Sequence, residues 1–183
     1  MKKYKLIIFE GIDGSGKTTQ AKYFAKRLNA FYLREPNFFR KEILKEIHPL
    51  TELFLFLADR NEVYSRIKNV LNKKNVILDR SFPSTLAYQL IGRNLKKIIS
   101  FDDYVKIDFL SRQKIKPDLV IIFDVPVHVA LLRLKKKTKF EEKKFLIKIK
   151  KAYLNLARKF NWHVVDGTKD KEEIRKNVSL ILK

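Results

Sequence analysis

The stretch YKLIIFEGIDGSGKTTQ, residues 4–20, constrains this chain more than any other. Residues 5–9 are mostly apolar, form a short run and lead directly to glutamate and glycine, the pattern of a strand buried on both faces. Gly11, Ile12, Asp13, Gly14, Ser15, Gly16, Lys17 and Thr18 then complete G-x-x-x-x-G-K-[ST]. The glycines admit backbone angles closed to other residues, so successive N–H groups can turn inward around a phosphate chain. Lys17 can reach the outer phosphates, and the Thr18 hydroxyl can take one position on Mg²⁺. A helix over 17–28 aims its positive end at the same phosphates. Strand, loop and helix agree, so the loop reads as a nucleotide-phosphate site. It leaves open what receives the phosphoryl group.

A chain of 183 residues is long enough for one domain with a full core, here 1–183. It has no cysteine, which excludes a disulfide framework and a thiolate metal site and is compatible with a reducing compartment. No apolar run approaches the roughly 20 residues of a spanning helix. Met1-Lys2-Lys3 runs straight into the phosphate strand, leaving no room for a signal peptide. These features predict a soluble, cytoplasmic protein without a membrane partner. The net charge of +21 invites a nucleic-acid partner. But the lysines, from Lys26 and Lys41 to Lys97, Lys116, Lys171 and Lys183, are spread through every segment. That dispersal argues for solvated faces and small polyanionic substrates, against a specific nucleic-acid site. The densest run is Lys135-Lys136-Lys137 with Lys139, Lys143 and Lys144.

Taken in order, the chain alternates. A strand is predicted over 30–34, ended by Glu35-Pro36. A helix over 39–47 is closed by His48-Pro49, and another, capped by Thr51, continues to Lys74. Residues 75–79 form a third strand ending in Asp79. Pro83 suits a helix start, residues 84–90 continue it, and Gly92 ends it. Ser100 caps a helix over 101–114. A fourth strand, 119–123, ends at Asp124. Helices follow over 126–134 and 142–160, then a strand over 162–165 and a last helix over 170–182. The pattern predicts an α/β fold: five strands, mainly parallel, with helices on both faces. Ligands in such sheets bind outside the C-terminal strand ends, where Gly11, Glu35, Asp79, Asp124 and Asp166 fall together.

Asp79 suits the acid that holds Mg²⁺, directly or through water, but Asp124 has the same pattern, and either could simply cap a helix. Arg80 follows Asp79 at the rim, where a plain surface arginine is the alternative. Phe56 and Arg60 stand at i and i+4 and share a helix face. A ring and a guanidinium so spaced could hold a base and its 5′-phosphate; a core phenylalanine and a surface arginine fit the periodicity as well. Ser84 and Tyr88 repeat the spacing, with Thr85 and Gln89 on adjoining faces.

Over nearly its whole length the chain resembles thymidylate kinases. The resemblance lies in Phe9-Glu10-Gly11 through Thr18-Thr19-Gln20, in Arg34-Glu35-Pro36, and in Phe54-Leu55-Phe56-Leu57-Ala58-Asp59-Arg60. The most specific match is Asp79-Arg80 followed by Ser84, Ala87, Tyr88 and Gln89, similar to the family's D-R-Y-x-x-S-x-x-A-Y-Q. Pro117-Asp118-Leu119, Asp124-Val125-Pro126, Ala130-Leu131-x-Arg133 and Ala152-Tyr153-Leu154-x-Leu156-Ala157 also fit. The resemblance implies a P-loop NTPase fold and ATP-dependent, Mg²⁺-assisted phosphorylation of dTMP to dTDP, by a homodimer. It implies that Phe56 stacks on thymine and that Arg60 and Arg80 bind the acceptor phosphate, with Arg34 and Pro36 beside them. Asp13 would approach the sugar 3′-hydroxyl, and Tyr88 would disfavour a ribose 2′-hydroxyl. Ser84 and Thr85, with Gln89, would read the thymine edge. Gly167 and Thr168 resemble the loop lining the adenine, and residues 133–142 match the lid. Arg133, Lys137 and Lys139 are its candidate cations, unless Arg133 flanks the adenine instead.

The chain departs from the family at three places. Asn37-Phe38-Phe39-Arg40 replaces Gly-Gly-Thr after Pro36, Ser81 replaces an aromatic, and lysines with Phe140 replace the lid's Leu-Asp-Arg. The first borders the acceptor phosphate in the family. Two alternatives stand beside dTMP kinase: a broader pyrimidine nucleotide or nucleoside kinase, and a nucleic-acid-binding P-loop ATPase.

Overall fold

β1 (Leu6–Glu10) runs through the centre of the molecule with all five residues buried. Successive side chains alternate between faces. Leu6 and Ile8 enter one apolar cluster, and Ile7 and Phe9 enter the other. The computed structural model describes residues 4–134 and 142–183. After β1 come α1 (Lys17–Arg27), β2 (Phe31–Arg34), the short α2 (Arg40–Ile43), α3 (Pro49–Val70) and β3 (Val76–Asp79). Next are α4 (Phe82–Thr85), a π-helical segment (Leu86–Gly92), a 3₁₀ turn (Leu95–Lys97), α5 (Phe101–Ser111) and β4 (Leu119–Asp124). The chain closes with α6 (Val127–Arg133), α7 (Lys143–Phe160), β5 (His163–Asp166) and α8 (Lys171–Leu182).

The five strands pair in the order β2-β3-β1-β4-β5, and each pairing is parallel. The expected α/β sheet covered on both faces is what forms. One face packs Phe24 of α1 and Ile174 and Val178 of α8 against Ile7, Phe9 and Phe123. The other, larger cluster draws Leu53 and Tyr64 from α3, Leu86 from the π segment, Tyr104 from α5 and Ile149 and Tyr153 from α7. Each such aliphatic or aromatic side chain contributes about 1.5–3 kcal/mol on full burial. The two layers lock the sheet, and the register aligns Arg34 with Asp79 and Asp124 with Asp166 along one rim.

Several element boundaries differ from expectation: α3 ends at Val70 where Lys74 was expected, and α5 at Ser111 where 114 was expected. The helix expected over 39–47 is only Arg40–Ile43. The helix expected to be capped by Thr51 starts earlier, at Pro49, because proline suits the first helical position. His48 is its cap, the Nδ1 accepting the Leu50 N–H at 3.3 Å. The helix expected over 84–90 changes character after Thr85: the Arg93 N–H donates to Tyr88 O, five residues back, at 2.8 Å. Ser100 caps α5 as expected, accepting from the Asp103 N–H at 3.1 Å. Among the described residues no helix is long and apolar enough to cross a membrane.

Candidate active site

The loop between β1 and α1 is shaped by backbone. Gly14 sits at φ 81°, and a Cβ there would lie 2.2 Å from Ala130 O. At Gly16 a Cβ would meet nothing within 4 Å, so the loop faces open space where a phosphate can approach. Lys17 is buried, with its Nζ 3.3 Å from Ile12 O and 3.5 Å from Asp13 Oδ1. Burial and the charge of Arg80 lower its pKa, against the pull of Asp13. Ser15 Oγ is buried with no hydrogen-bond partner among the described residues, and so is Asp79 Oδ1. The other Asp79 oxygen accepts from Tyr32 OH at 3.1 Å and lies 3.8 Å from Arg34 Nε. Thr18 is partly buried and Thr19 exposed. A positive-φ glycine loop, a buried lysine and the orphaned Ser15 hydroxyl fit a nucleotide's phosphates, and the orphaned Asp79 oxygen fits a cation beside them. A hydroxyl and a carboxylate are hard oxygen donors of the kind Mg²⁺ takes beside phosphates. Among the described residues no group of three or more His, Cys, Asp or Glu converges on a metal position. Gly167 backs onto the loop, since a Cβ there would lie 3.0 Å from Ser15 O. Its carbonyl accepts from Arg133 Nη1 at 3.0 Å, while Thr168 folds onto Asp166.

Beside this loop opens a cleft lined by Asp13, Arg34, Glu35, Pro36, Arg40, Ile43, Leu44, Phe56, Arg80, Ser84, Tyr88 and Gln89. Arg80 joins loop and cleft. Its Nη2 donates to Asp13 Oδ1 at 2.8 Å, and its Nη1 donates to Ser84 Oγ at 2.9 Å. Its guanidinium carbon lies 5.2 Å from the Tyr88 ring centroid. Burial alone would raise the Asp13 carboxyl, but Arg80 and Lys17 outweigh it and hold it well below the usual carboxylate range. Arg80 has φ 71°, unusual for a residue with a side chain. Glu10 fixes the turn: its Oε1 accepts the N–H groups of Ser81 at 2.7 Å and Ser84 at 3.2 Å. Burial pushes the Glu10 carboxyl up, against the charge of Arg80.

Beneath the cleft lies a buried ionic network. Arg60 is 0 % exposed. It donates to Glu35 Oε2 through Nε at 3.1 Å and Nη2 at 2.9 Å, to Asp108 at 2.8 Å and to Thr85 Oγ1 at 2.7 Å. Arg112 Nε binds the other Asp108 oxygen at 2.7 Å. Burial, opposed by Arg60, pushes the Glu35 carboxyl up to about 7. The neighbouring Asp59 carboxylate accepts the N–H groups of Asn37 and Phe39, each at 2.9 Å, and so holds the segment after Pro36.

Of the residues singled out in the sequence, the structure brings Asp13, Arg34, Pro36, Phe56, Arg80, Ser84, Tyr88 and Gln89 to one cleft. Gly11, Gly14, Ser15, Gly16, Lys17 and Thr18 form the loop beside it. Arg60 and Thr85, expected at the acceptor, do not line the cleft. Arg60 is spent on the buried carboxylates of Glu35 and Asp108, and the Thr85 hydroxyl accepts from it. Tyr88 and Gln89 of the π segment stand at the cleft wall, where Gln89 Nε2 donates to Glu52 at 2.9 Å. Asp124, the rival of Asp79, is engaged by Lys150 at 2.5 Å. Lys137 and Lys139 lie outside the described residues. Sequence reasoning missed Glu10 and Arg40. Glu10 was visible as an acid ending an apolar strand and as part of the family-like stretch before the loop, but with no role, and Arg40 only as the residue closing the unusual segment after Pro36.

The comparisons agree with one another. The family model for thymidylate kinase matches residues 9–178. A probable thymidylate kinase of Methanocaldococcus jannaschii is 40% identical, covering 97% of this chain and 95% of that one. A thymidylate kinase of Thermosipho melanesiensis is 34% identical, covering 96% of each. The crystal structure of a thymidylate kinase from Ehrlichia chaffeensis superposes with a TM-score of 0.77 at 27% identity, covering 98% of this chain and 99% of that one.

Proposed function

This chain belongs to the thymidylate kinase family, and from that premise we propose how its residues phosphorylate dTMP to dTDP with ATP. The loop amides and Lys17 hold the outer phosphates of ATP, with Arg133, Gly167 and Thr168 on the adenine side. Thr18 and Asp79 would hold Mg²⁺, which would neutralise charge on the phosphate oxygens. Arg80, with Arg34, receives the dTMP phosphate, and Phe56 stacks on the thymine. Ser84 and Gln89 meet the base edge, and Tyr88 crowds the position of a ribose 2′-hydroxyl.

The observation that carries this reading is the bridge from Arg80 to Asp13 at 2.8 Å, which joins the phosphate loop to the cleft. An acceptor phosphate competes for Arg80 and releases Asp13 to accept from the sugar 3′-hydroxyl. The acceptor is then placed by a cation that also touches the donor loop. Phosphoryl transfer needs such positioning and charge neutralisation more than covalent chemistry. Arg60 acts at one remove, holding Glu35 at the start of the cleft wall.

We also propose that the enzyme works as a homodimer in the cytoplasm. The exposed apolar side chains Phe54 of α3 and Ile107 and Leu110 of α5 support self-association. A mass of one chain by light scattering would overturn it.

The test of function is a coupled ADP-release assay with ATP and Mg²⁺ against dTMP, dUMP, CMP, thymidine and no acceptor. Strong preference for dTMP is expected. Equal rates on all pyrimidine monophosphates would overturn the selectivity, and acceptor-independent release would overturn the kinase reading.

A further inference from the structure

The motif around Tyr153 matched the family in sequence, yet it has no task in the reading above. Tyr153 belongs to α7, whose residues Lys150 and Tyr153 reach two different parts of the rim. Lys150 Nζ meets Asp124 and, at 3.1 Å, Val125 O, next to the strand end whose carbonyl accepts the Gly167 N–H. Tyr153 crosses to the acceptor side and is 1 % exposed. Its hydroxyl lies 2.8 Å from Glu10 Oε2, 2.8 Å from Ser84 Oγ and 3.3 Å from Arg80 Nη1. Ser84 Oγ donates to the same Glu10 oxygen at 2.7 Å.

We propose that Tyr153 is a positioning residue for phosphoryl transfer, fixing the Arg80 guanidinium through its own hydroxyl and through Glu10 and Ser84. The inference rests on the reading of the cleft as the dTMP site. The chemistry favours a tyrosine. One hydroxyl donates to Glu10 while its lone pairs accept from Arg80, and the rigid ring holds that hydroxyl in place. Arg80 Nη1 is thereby shared between Ser84 and Tyr153 while Nη2 faces Asp13, so the plane of the guanidinium is set from two edges. A residue serving packing alone would need only the ring, which meets Tyr88 edge-on at 6.3 Å between centroids. Phenylalanine keeps that contact.

The experiment is a double-mutant cycle on dTMP phosphorylation, with Tyr153→Phe made in the unsubstituted chain and in an Arg80→Ala chain. Arg80→Ala is expected to lower kcat/KM for dTMP about 10²-fold, its residual turnover being read at high enzyme concentration. Tyr153→Phe is expected to lower kcat for dTMP about tenfold in the unsubstituted chain and less than twofold in the Arg80→Ala chain, with KM for ATP within twofold throughout. An equal loss in both backgrounds, an equal loss of ATP affinity, or no loss overturns the inference. Ser84→Ala gives a second arm: a loss that adds fully to that of Tyr153→Phe overturns it too. An unsubstituted chain without dTMP turnover would instead overturn the assignment of the cleft, and this inference with it.

Discussion

The phosphate loop and the acceptor wall meet at Asp13, and both are shaped to hold an anion, but they are made of different materials. The loop is backbone: three glycines at positive φ and one buried lysine. The wall is side chain: Arg34, Arg40 and Arg80 come from three separate segments, over a network in which Arg60, Glu35 and Asp108 are all buried. A backbone site is specified by eight consecutive residues and costs little to keep. A side-chain site must take charges out of water and hold each against another, which stabilises only if every partner stays in place. The loop should therefore fail by chemistry and the wall by stability or affinity.

The largest effect is expected at the loop. Lys17→Ala should lower kcat roughly 10³–10⁵-fold, the range of a phosphate-binding cation at the transition state, with the melting temperature nearly unchanged. Steady-state kinetics beside a thermal melt checks both. Retained turnover, or a large drop in melting temperature, would break the contrast.

Arg60→Met should show the opposite signature. It leaves Glu35 and Asp108 buried without their main partner, and removing one member of such a network costs about 3–5 kcal/mol. For a chain of this size that is roughly 6–20 °C in melting temperature. An unaltered melt with lost activity would mean that Arg60 serves the substrate directly, as the family resemblance implied.

The network also titrates. Burial, opposed by Arg60, pushes the folded Glu35 carboxyl up from its ordinary 4.5 to about 7. The folded state therefore binds the extra proton between these values, and its contribution to stability is fully present below about 4.5 and lost as pH rises through about 7. The difference is at most about 3 kcal/mol. Urea unfolding at pH 5 and pH 7 should show wild type losing stability relative to Glu35→Gln. Parallel behaviour of the two proteins would remove Glu35 as the titrating group.

The same contrast explains what the sequence could tell. The strand, the glycines, Lys17 and Thr18 are contiguous, and their geometry follows from residue type, so the donor half was legible before any fold. The alternation of strands and helices gave the parallel sheet, because β1 and β4 are apolar runs too short for helices. The acceptor half was legible only in part. Phe56 and Arg60 share a helix face by spacing, yet Phe56 reaches the cleft and Arg60 sinks below it. Periodicity gives a side chain's direction, while the carboxylates that claim Arg60, Glu35 just after β2 and Asp108 on α5, are distant in sequence. Thr85 follows the same rule: its hydroxyl accepts from Arg60 at 2.7 Å, and that partner is 25 residues away in sequence, beyond the reach of any local signal. Glu10 stood in a strand whose neighbours are all apolar, so its partners on the β3–α4 turn and on α7 could not be foreseen.

The smallest effect tests the residue that neither periodicity nor resemblance singled out. Arg40 opens α2, and the segment before it is anchored twice, by Asp59 on the Asn37 and Phe39 amides and by Arg66 over the Phe38 ring at 4.4 Å. So anchored, Arg40 lines the cleft with Arg34 and Arg80, and burial together with the charge of Arg34 lowers its pKa. Cations crowded together in this way repel one another, and a phosphate dianion between them relieves the repulsion. The site is half open, so water screens the gain. Arg40→Gln should raise KM for dTMP about tenfold, leave kcat and KM for ATP within twofold, and reduce the salt dependence of dTMP binding. A change in kcat instead would place Arg40 with Arg80 at the transition state. No change in KM would confine acceptor recognition to Arg34 and Arg80, and the segment after Pro36 would then shape the cleft by its apolar residues Ile43 and Leu44 alone.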